Sequence, residues 1–253
     1  MNPSDKPARI AAAARDNARW CNAVCRAHGG STHLDAAIWS NTAPSPQFYP
    51  NVITLHAGAQ SIAVDAVREL GPRLGPAWAV KDSFADLDLR ALGFDPLFEA
   101  SWLWRDAALA VPLEAPAEAV RWERAAVPSE LAEWERAWEP WLGDGATARS
   151  DPPRFPPSLL AHGDIAFCSG RRDGRIVAGG VLSAGAAVVG LSNCFAAPAD
   201  RHACWRGLLR EAARRFPGLA QCGYERPPEL ADALAQGFEV IGPLRVWLRT
   251  RGH

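Results

Sequence analysis

The stretch Val188-Val189-Gly190-Leu191-Ser192-Asn193-Cys194-Phe195, followed by Pro198, Arg201 and Leu208-Leu209, decides how this chain is read. A short run of β-branched and apolar residues ended by a proline reads as a buried strand. Behind it, Leu208, Leu209, Ala212 and Ala213 recur at helical spacing, so Arg201–Phe216 reads as a helix with one buried face. This junction of strand and helix is the expected functional centre of an α/β domain running from about Val120 to Arg251.

The pattern extends in both directions. Upstream, Ile165–Arg171 and Arg175–Leu182 read as strands joined by Arg172-Asp173-Gly174, whose Asp-Gly pair suits a hairpin turn. Further back lie a strand near Val120–Ala125 and a helix Glu130–Trp141, with Ser129 as its expected N-cap. Trp134, Trp138 and Trp141 share one face of that helix and read as packing residues. A proline-dense loop, Gly143–Pro157, follows. Downstream, Ala220–Tyr224 is a strand and Pro228–Gln236 a helix with proline near its start and Gly237 past its end. Val240–Leu248 is the last strand.

The first half is similar in kind. A helix within the first thirty residues stops at Gly29-Gly30, and Asn51–Leu55 and Trp78–Phe84 read as strands flanking a helix, Ala59–Leu70. A short helix Asp86–Leu92 and a strand Leu97–Trp104 complete it. The sequence Leu92-Gly93-Phe94 before that strand echoes Gln236-Gly237-Phe238 before the last one, which points to an internal duplication. The expected organisation is a first unit at 1–110, an alanine- and proline-rich linker at 111–119 and a second domain at 120–253.

Bulk properties exclude several classes. The net charge of −1 is spread without a basic stripe, so nucleic acid is not an expected partner. No apolar run reaches the ~20 residues of a membrane helix, and the N-terminus lacks a secretory pattern. The six cysteines are not spaced as a small disulfide framework, which favours a reducing cytoplasm. Cys21, Cys25 and His28 share a helix face, but that spacing equally describes an apolar stripe, and no metal is expected.

Taken together, Val188–Phe195, Pro198, Arg201 and Leu208-Leu209 resemble the central motif of the GNAT superfamily of N-acetyltransferases. Leu230, Ala233, Gly237 and Phe238 with the closing strand resemble that family's C-terminal motif. The resemblance covers about 130 residues and, more loosely, the last sixty of the first half. It implies an α/β (α+β) fold, with a mixed, mostly antiparallel central sheet flanked by helices. It also implies two tandem units, the first truncated or degenerate. The activity it implies is transfer of an acetyl group from acetyl-coenzyme A to an amine of a small molecule or peptide, by a monomer or homodimer.

In such a fold the central strand diverges from its neighbour, and the pantetheine arm of the co-substrate pairs with the freed backbone, here Ser192, Asn193, Cys194 and Phe195. The pyrophosphate meets the next helix at its N-terminus, where unpaired N–H groups and the helix dipole favour anions. The resemblance assigns that role to Arg201, His202, Ala203, Cys204, Trp205, Arg206 and Gly207. Two departures stand out: Cys204 and Arg206 occupy positions where the family usually has small residues, chiefly glycine. Either Arg201 and Arg206 pair directly with phosphate, or the chain is a non-catalytic GNAT-like binding module. The family's usual tyrosine acid is missing from Leu230–Gln236, which leaves Tyr224 as candidate acid and Glu225 as candidate base. Cys194 could carry an acyl group, though a buried strand cysteine is commoner.

Overall fold

The computed structural model describes residues 6–111, 120–142 and 153–250, so nearly all of the expected linker and most of the loop at 143–157 lie outside the described residues. In chain order the elements begin with helix α1 (Lys6–Ala27) and strands β1 (Thr32–Leu34), β2 (Ile38–Asn41) and β3 (Val52–Thr54). Helix α2 (Gln60–Leu74) and strands β4 (Trp78–Asp82) and β5 (Phe94–Arg105) follow. Then come β6 (Arg121–Arg124), α3 (Pro128–Trp138), β7 (Ile165–Arg172), β8 (Arg175–Ala184) and β9 (Val188–Ala196). The chain ends with α4 (Arg201–Arg215), β10 (Ala220–Glu225), α5 (Glu229–Leu234) and β11 (Glu239–Arg249).

These elements form two compact units. One takes the chain up to Leu103, then Tyr224–Arg226 and the segment from Val240 onward; the other takes Trp104–Gly223 and Pro227–Glu239. In the first, the strand order is β1-β2-β3-β4-β11-β5. β1, β2 and β3 form an antiparallel meander, and α2 carries the chain to β4, parallel to β3. The apolar faces of α2 and the strands close over Val52, Val67, Leu70, Val80, Leu89, Phe94 and Trp247. The last strand belongs here and not with residues 120–238: β11 runs antiparallel to β4, with Trp247 opposite Val80. Trp247 is fully buried in this core, and that burial of a large aromatic surface is what draws the strand in.

In the second unit the order is β10-β9-β8-β7-β6. β6 to β9 are antiparallel, and α4 leads to β10, parallel to β9. The β7–β8 turn places Asp173 at φ 50 and Gly174 at φ 77, the paired left-handed residues of a tight hairpin. Adjacent glycines of β8 serve opposite faces, since neighbouring strand positions alternate. An added Cβ on Gly179 would strike the Phe195 ring at 2.5 Å, and one on Gly180 would strike Leu208 of α4 at 2.8 Å. On the Phe195 side, Trp134 of α3 packs edge-on against Phe155, Phe167 and Phe195.

Each unit therefore holds a mixed, mostly antiparallel set of strands flanked by helices, the expected fold class. Each also runs as antiparallel meander, helix and parallel strand, and Gly93 (φ 79) and Gly237 (φ 85) both turn left-handed just before β5 and β11.

Local expectations are corrected at three places. The helix expected at Asp86–Leu92 shrinks to a single 3-10 turn, Arg90–Leu92, because the Asp82 carboxylate takes the backbone N–H groups of Asp86 and Leu87. Val127, not Ser129, is the N-cap of α3, and Glu130 reaches back to accept from the N–H of Ala126 at 2.7 Å. The tryptophan face breaks after Trp138: Pro140 cannot donate to a helical carbonyl, and Trp141 ends a 3-10 turn, exposed.

Candidate functional site

β9 leaves its parallel partner early. Its ladder with β10 pairs Val188 with Ala220, Val189 with Gln221 and Gly190 with Cys222, and goes no further. On its other edge the register with β8 slips, so that Phe195 faces Gly179 but Ser192 faces Val181. Asn193 and Cys194 together oppose Gly180, which makes this a β-bulge. Asn193 sits at φ 51, a conformation asparagine tolerates better than most residues. Gly180 makes room, since a Cβ there would lie 3.3 Å from the Cys194 sulfur.

The bulge has a chemical result. Ser192, Asn193 and Cys194 are half-buried in a strand whose other residues are buried. The Ser192 hydroxyl oxygen is itself buried and has no hydrogen-bond partner among the described residues. Buried polar atoms are nearly always satisfied, so an unpaired one calls for an explanation. The Cys194 sulfur lies 3.8 Å from the Ser192 carbonyl oxygen, behind Gly180.

After β9 a 3-10 turn, Pro198–Asp200, leads into α4 at Arg201. The stretch expected as a phosphate loop, Arg201–Arg206, is thus the first turn and a half of a helix. Asp200 is the N-cap but makes no side-chain cap bond. Its carboxylate is instead held by Arg172 Nη2 at 2.7 Å. The Cys204 side chain is buried, its sulfur 3.6 Å from the carbonyl oxygens of both Gly179 and Phe195, so it does not stand over the helix end. Trp205 is buried against Phe238, with ring centroids 5.3 Å apart. Ala203 and Gly207 are buried too, and Gly207 lies so close under Trp122 that no Cβ would fit.

Arg201 faces two carboxylates, Asp232 at 3.5 Å and Glu229 at 3.6 Å, both from α5. His202 Nδ1 meets the Gln236 amide at 3.0 Å. Arg206 is half-buried on the same helix. Arg201 and His202, at the start of α4, therefore already have acidic or amide company.

Tyr224 lies two residues beyond Cys222, the last β10 residue paired with β9. Its hydroxyl accepts a hydrogen bond from Lys81 Nζ at 3.2 Å, and the same ammonium stands 4.3 Å from the tyrosine ring centre. Trp102 meets that ring edge-on at 5.5 Å. Glu225, next along the strand, is half-buried. Lys81 and Arg172 were not singled out from sequence. The one available signal was a lysine inside an apolar strand of a chain whose other cations are nearly all arginine.

Cys21 and Cys25 are buried, and burial pushes their thiols up to about 12 and about 11. Among the described residues no three His, Cys, Asp or Glu side chains converge as a metal site. Among the same residues no helix is long and apolar enough to cross a membrane.

Comparison with known proteins places the fold. The chain is similar to a GCN5-related N-acetyltransferase from Kribbella flavida at 15% identity and a TM-score of 0.58, over 95% of this chain and 96% of that one. A conserved protein of unknown function from Staphylococcus epidermidis gives a TM-score of 0.64 at 9% identity, over 88% of this chain and 95% of that one. A tandem GNAT protein of the clavulanic acid biosynthesis pathway gives 0.53 at 14% identity, over 85% and 79%. No protein-family model matches the chain, and no curated protein matches it. At these identities the likeness is one of fold: the architecture is GNAT-like.

Proposed function

We propose that this chain is an acyl-coenzyme A-dependent N-acyltransferase, moving an acyl group, in the simplest case acetyl, to an amine of a small molecule or peptide. The observation that carries this reading is the state of β9. It leaves its neighbour after Gly190, bulges at Asn193 and presents a buried Ser192 hydroxyl that is unpaired among the described residues. Backbone groups so released suit the amides of a pantetheine arm, which would add to Ser192–Phe195 like a further strand. The start of α4, without a side-chain cap, suits the pyrophosphate. These residues fit the co-substrate, and Cys204 does not obstruct it because its side chain turns inward.

When bound, the co-substrate supplies a thioester, and the rest of the chemistry is proton handling. Glu225, directly or through water, would take a proton from the acceptor amine as it attacks the carbonyl carbon. Tyr224 would give its phenolic proton to the sulfur as the carbon–sulfur bond breaks. All six cysteines are free thiols, which fits a reducing compartment such as the cytoplasm.

A second reading, a non-catalytic binding module, has one observation in its favour. Arg201, the residue best suited to phosphate, is already engaged by Glu229 and Asp232. Calorimetric titration with acetyl-coenzyme A separates the two, followed by a free-thiol release assay across a panel of amines. Saturable binding with thiol release is expected. Neither heat nor a thermal shift at millimolar ligand would sink the acyltransferase reading.

A further inference from the structure

We infer that Lys81 is the positioning residue of the acid: held by Asn17, its ammonium fixes the Tyr224 hydroxyl and stabilises the phenolate left when the proton passes to sulfur. This rests on the reading of Tyr224 as the acid.

Lys81 is only 4% exposed. Its Nζ donates to Asn17 Oδ1 at 2.7 Å and to the Tyr224 hydroxyl at 3.2 Å, and lies 4.3 Å from the tyrosine ring centre. An amide, a hydroxyl and a ring face are all neutral. Taking an ammonium out of water is costly, and partners without charge offset that cost poorly. Methionine would fill the same space without that cost, so packing alone gives no reason for a charge here.

Everything around the pair restricts it. Asn17 comes from the middle of α1, Lys81 from β4 and Tyr224 from β10. The edge of Trp102 sets the plane of the phenol, and the indole is itself anchored by Nε1 donating to the Ser83 carbonyl oxygen at 2.8 Å. A lysine ammonium can only donate, so the Tyr224 oxygen accepts there and its own proton is directed elsewhere. The balance is complete. The amine lone pair forms the carbon–nitrogen bond, the carbon–sulfur pair leaves on sulfur, and the Tyr224 proton converts that thiolate to a thiol. The phenolate then sits beside the Lys81 cation, an interaction strengthened by low local dielectric. The proton lost from the amine, carried by Glu225 or water, restores the phenol.

The test compares acetyl-coenzyme A, whose alkyl thiolate needs a proton to leave, with an S-aryl thioester, whose thiolate does not. Lys81→Met is expected to lower kcat with acetyl-coenzyme A by about 10- to 100-fold. Affinity for coenzyme A, measured by calorimetry, should stay unchanged. The loss should fall below about 3-fold with the aryl donor, and vanish when added to Tyr224→Phe, since both act through one proton. Lys81→Arg should recover part of the rate. If Lys81→Met does not fold, Asn17→Leu, which releases the ammonium, should show the same dependence on donor with a smaller loss. Equal losses with both donors, or additivity with Tyr224→Phe, would reduce Lys81 to a packing residue and overturn the inference alone. A wild-type chain that turns over neither donor overturns the acyltransferase reading and this inference with it.

Discussion

At Asn193 the backbone reaches φ 51, and the strand spends a strained residue where a regular one would have kept its pairing. Asparagine is among the few side chains that accept this region, so its identity supports the bulge directly. Asn193→Ala is expected to destabilise the fold by about 1 kcal/mol, with Asn193→Gly close to wild type. Urea denaturation at equilibrium measures both, and an alanine variant as stable as wild type would mean the bulge carries no strain. Ser192 next to it shows how little a residue type reveals alone. Its hydroxyl matters because it is buried without a partner among the described residues, which sequence does not express. Tyr224 is the candidate acid that elimination leaves, since the chain has only two tyrosines, but its partner Lys81 is distant in sequence and invisible to local reading.

At the scale of elements, α4 and α5 set the charge of the candidate phosphate site. α4 offers an N-terminus without a side-chain cap, and α5 places Glu229 and Asp232 against Arg201. An incoming pyrophosphate would compete with those carboxylates for the guanidinium. Arg201→Ala is therefore expected to weaken coenzyme A binding by about 5- to 10-fold, the scale of one partly exposed charge-assisted bond. The double variant Glu229→Gln/Asp232→Asn should move affinity in the opposite direction. Titration calorimetry reads both, and opposite signs are the diagnostic result; no change in either would remove Arg201 from the site. The periodicity of α4 was legible in full, from Arg201 through its buried Leu208 and Leu209. What the helix does with Cys204 was not. A family-style alignment puts that side chain beside phosphate, whereas helical geometry turns it to the carbonyls of Gly179 and Phe195.

At the scale of the molecule, chain order and compact units do not coincide. The last strand, β11, lies between β4 and β5 and brings Trp247 into the core of the unit built mainly from the first hundred residues. A chain ending at Gly237 would leave β4 and β5 without their shared neighbour and open that core. It is expected to be aggregation-prone and lack a cooperative melt, while the intact chain melts cooperatively. Size-exclusion chromatography and thermal denaturation of the truncated chain decide this, and a monomer melting near the intact chain would show that β11 is dispensable.

Hydrophobic period, turn chemistry and proline placement are local properties, and from them the sequence determined the order of the longer elements, the Asp173-Gly174 hairpin and the strand–helix junction at Val188–Arg201, but not the short strands β1 and β2. Three things were decided only by tertiary structure: the strand that β11 joins, the slip in register that frees Ser192, and the meeting of Asn17, Lys81 and Tyr224. Each depends on which distant surfaces bury one another, and burial is a property of the packed chain. No window of sequence contains it.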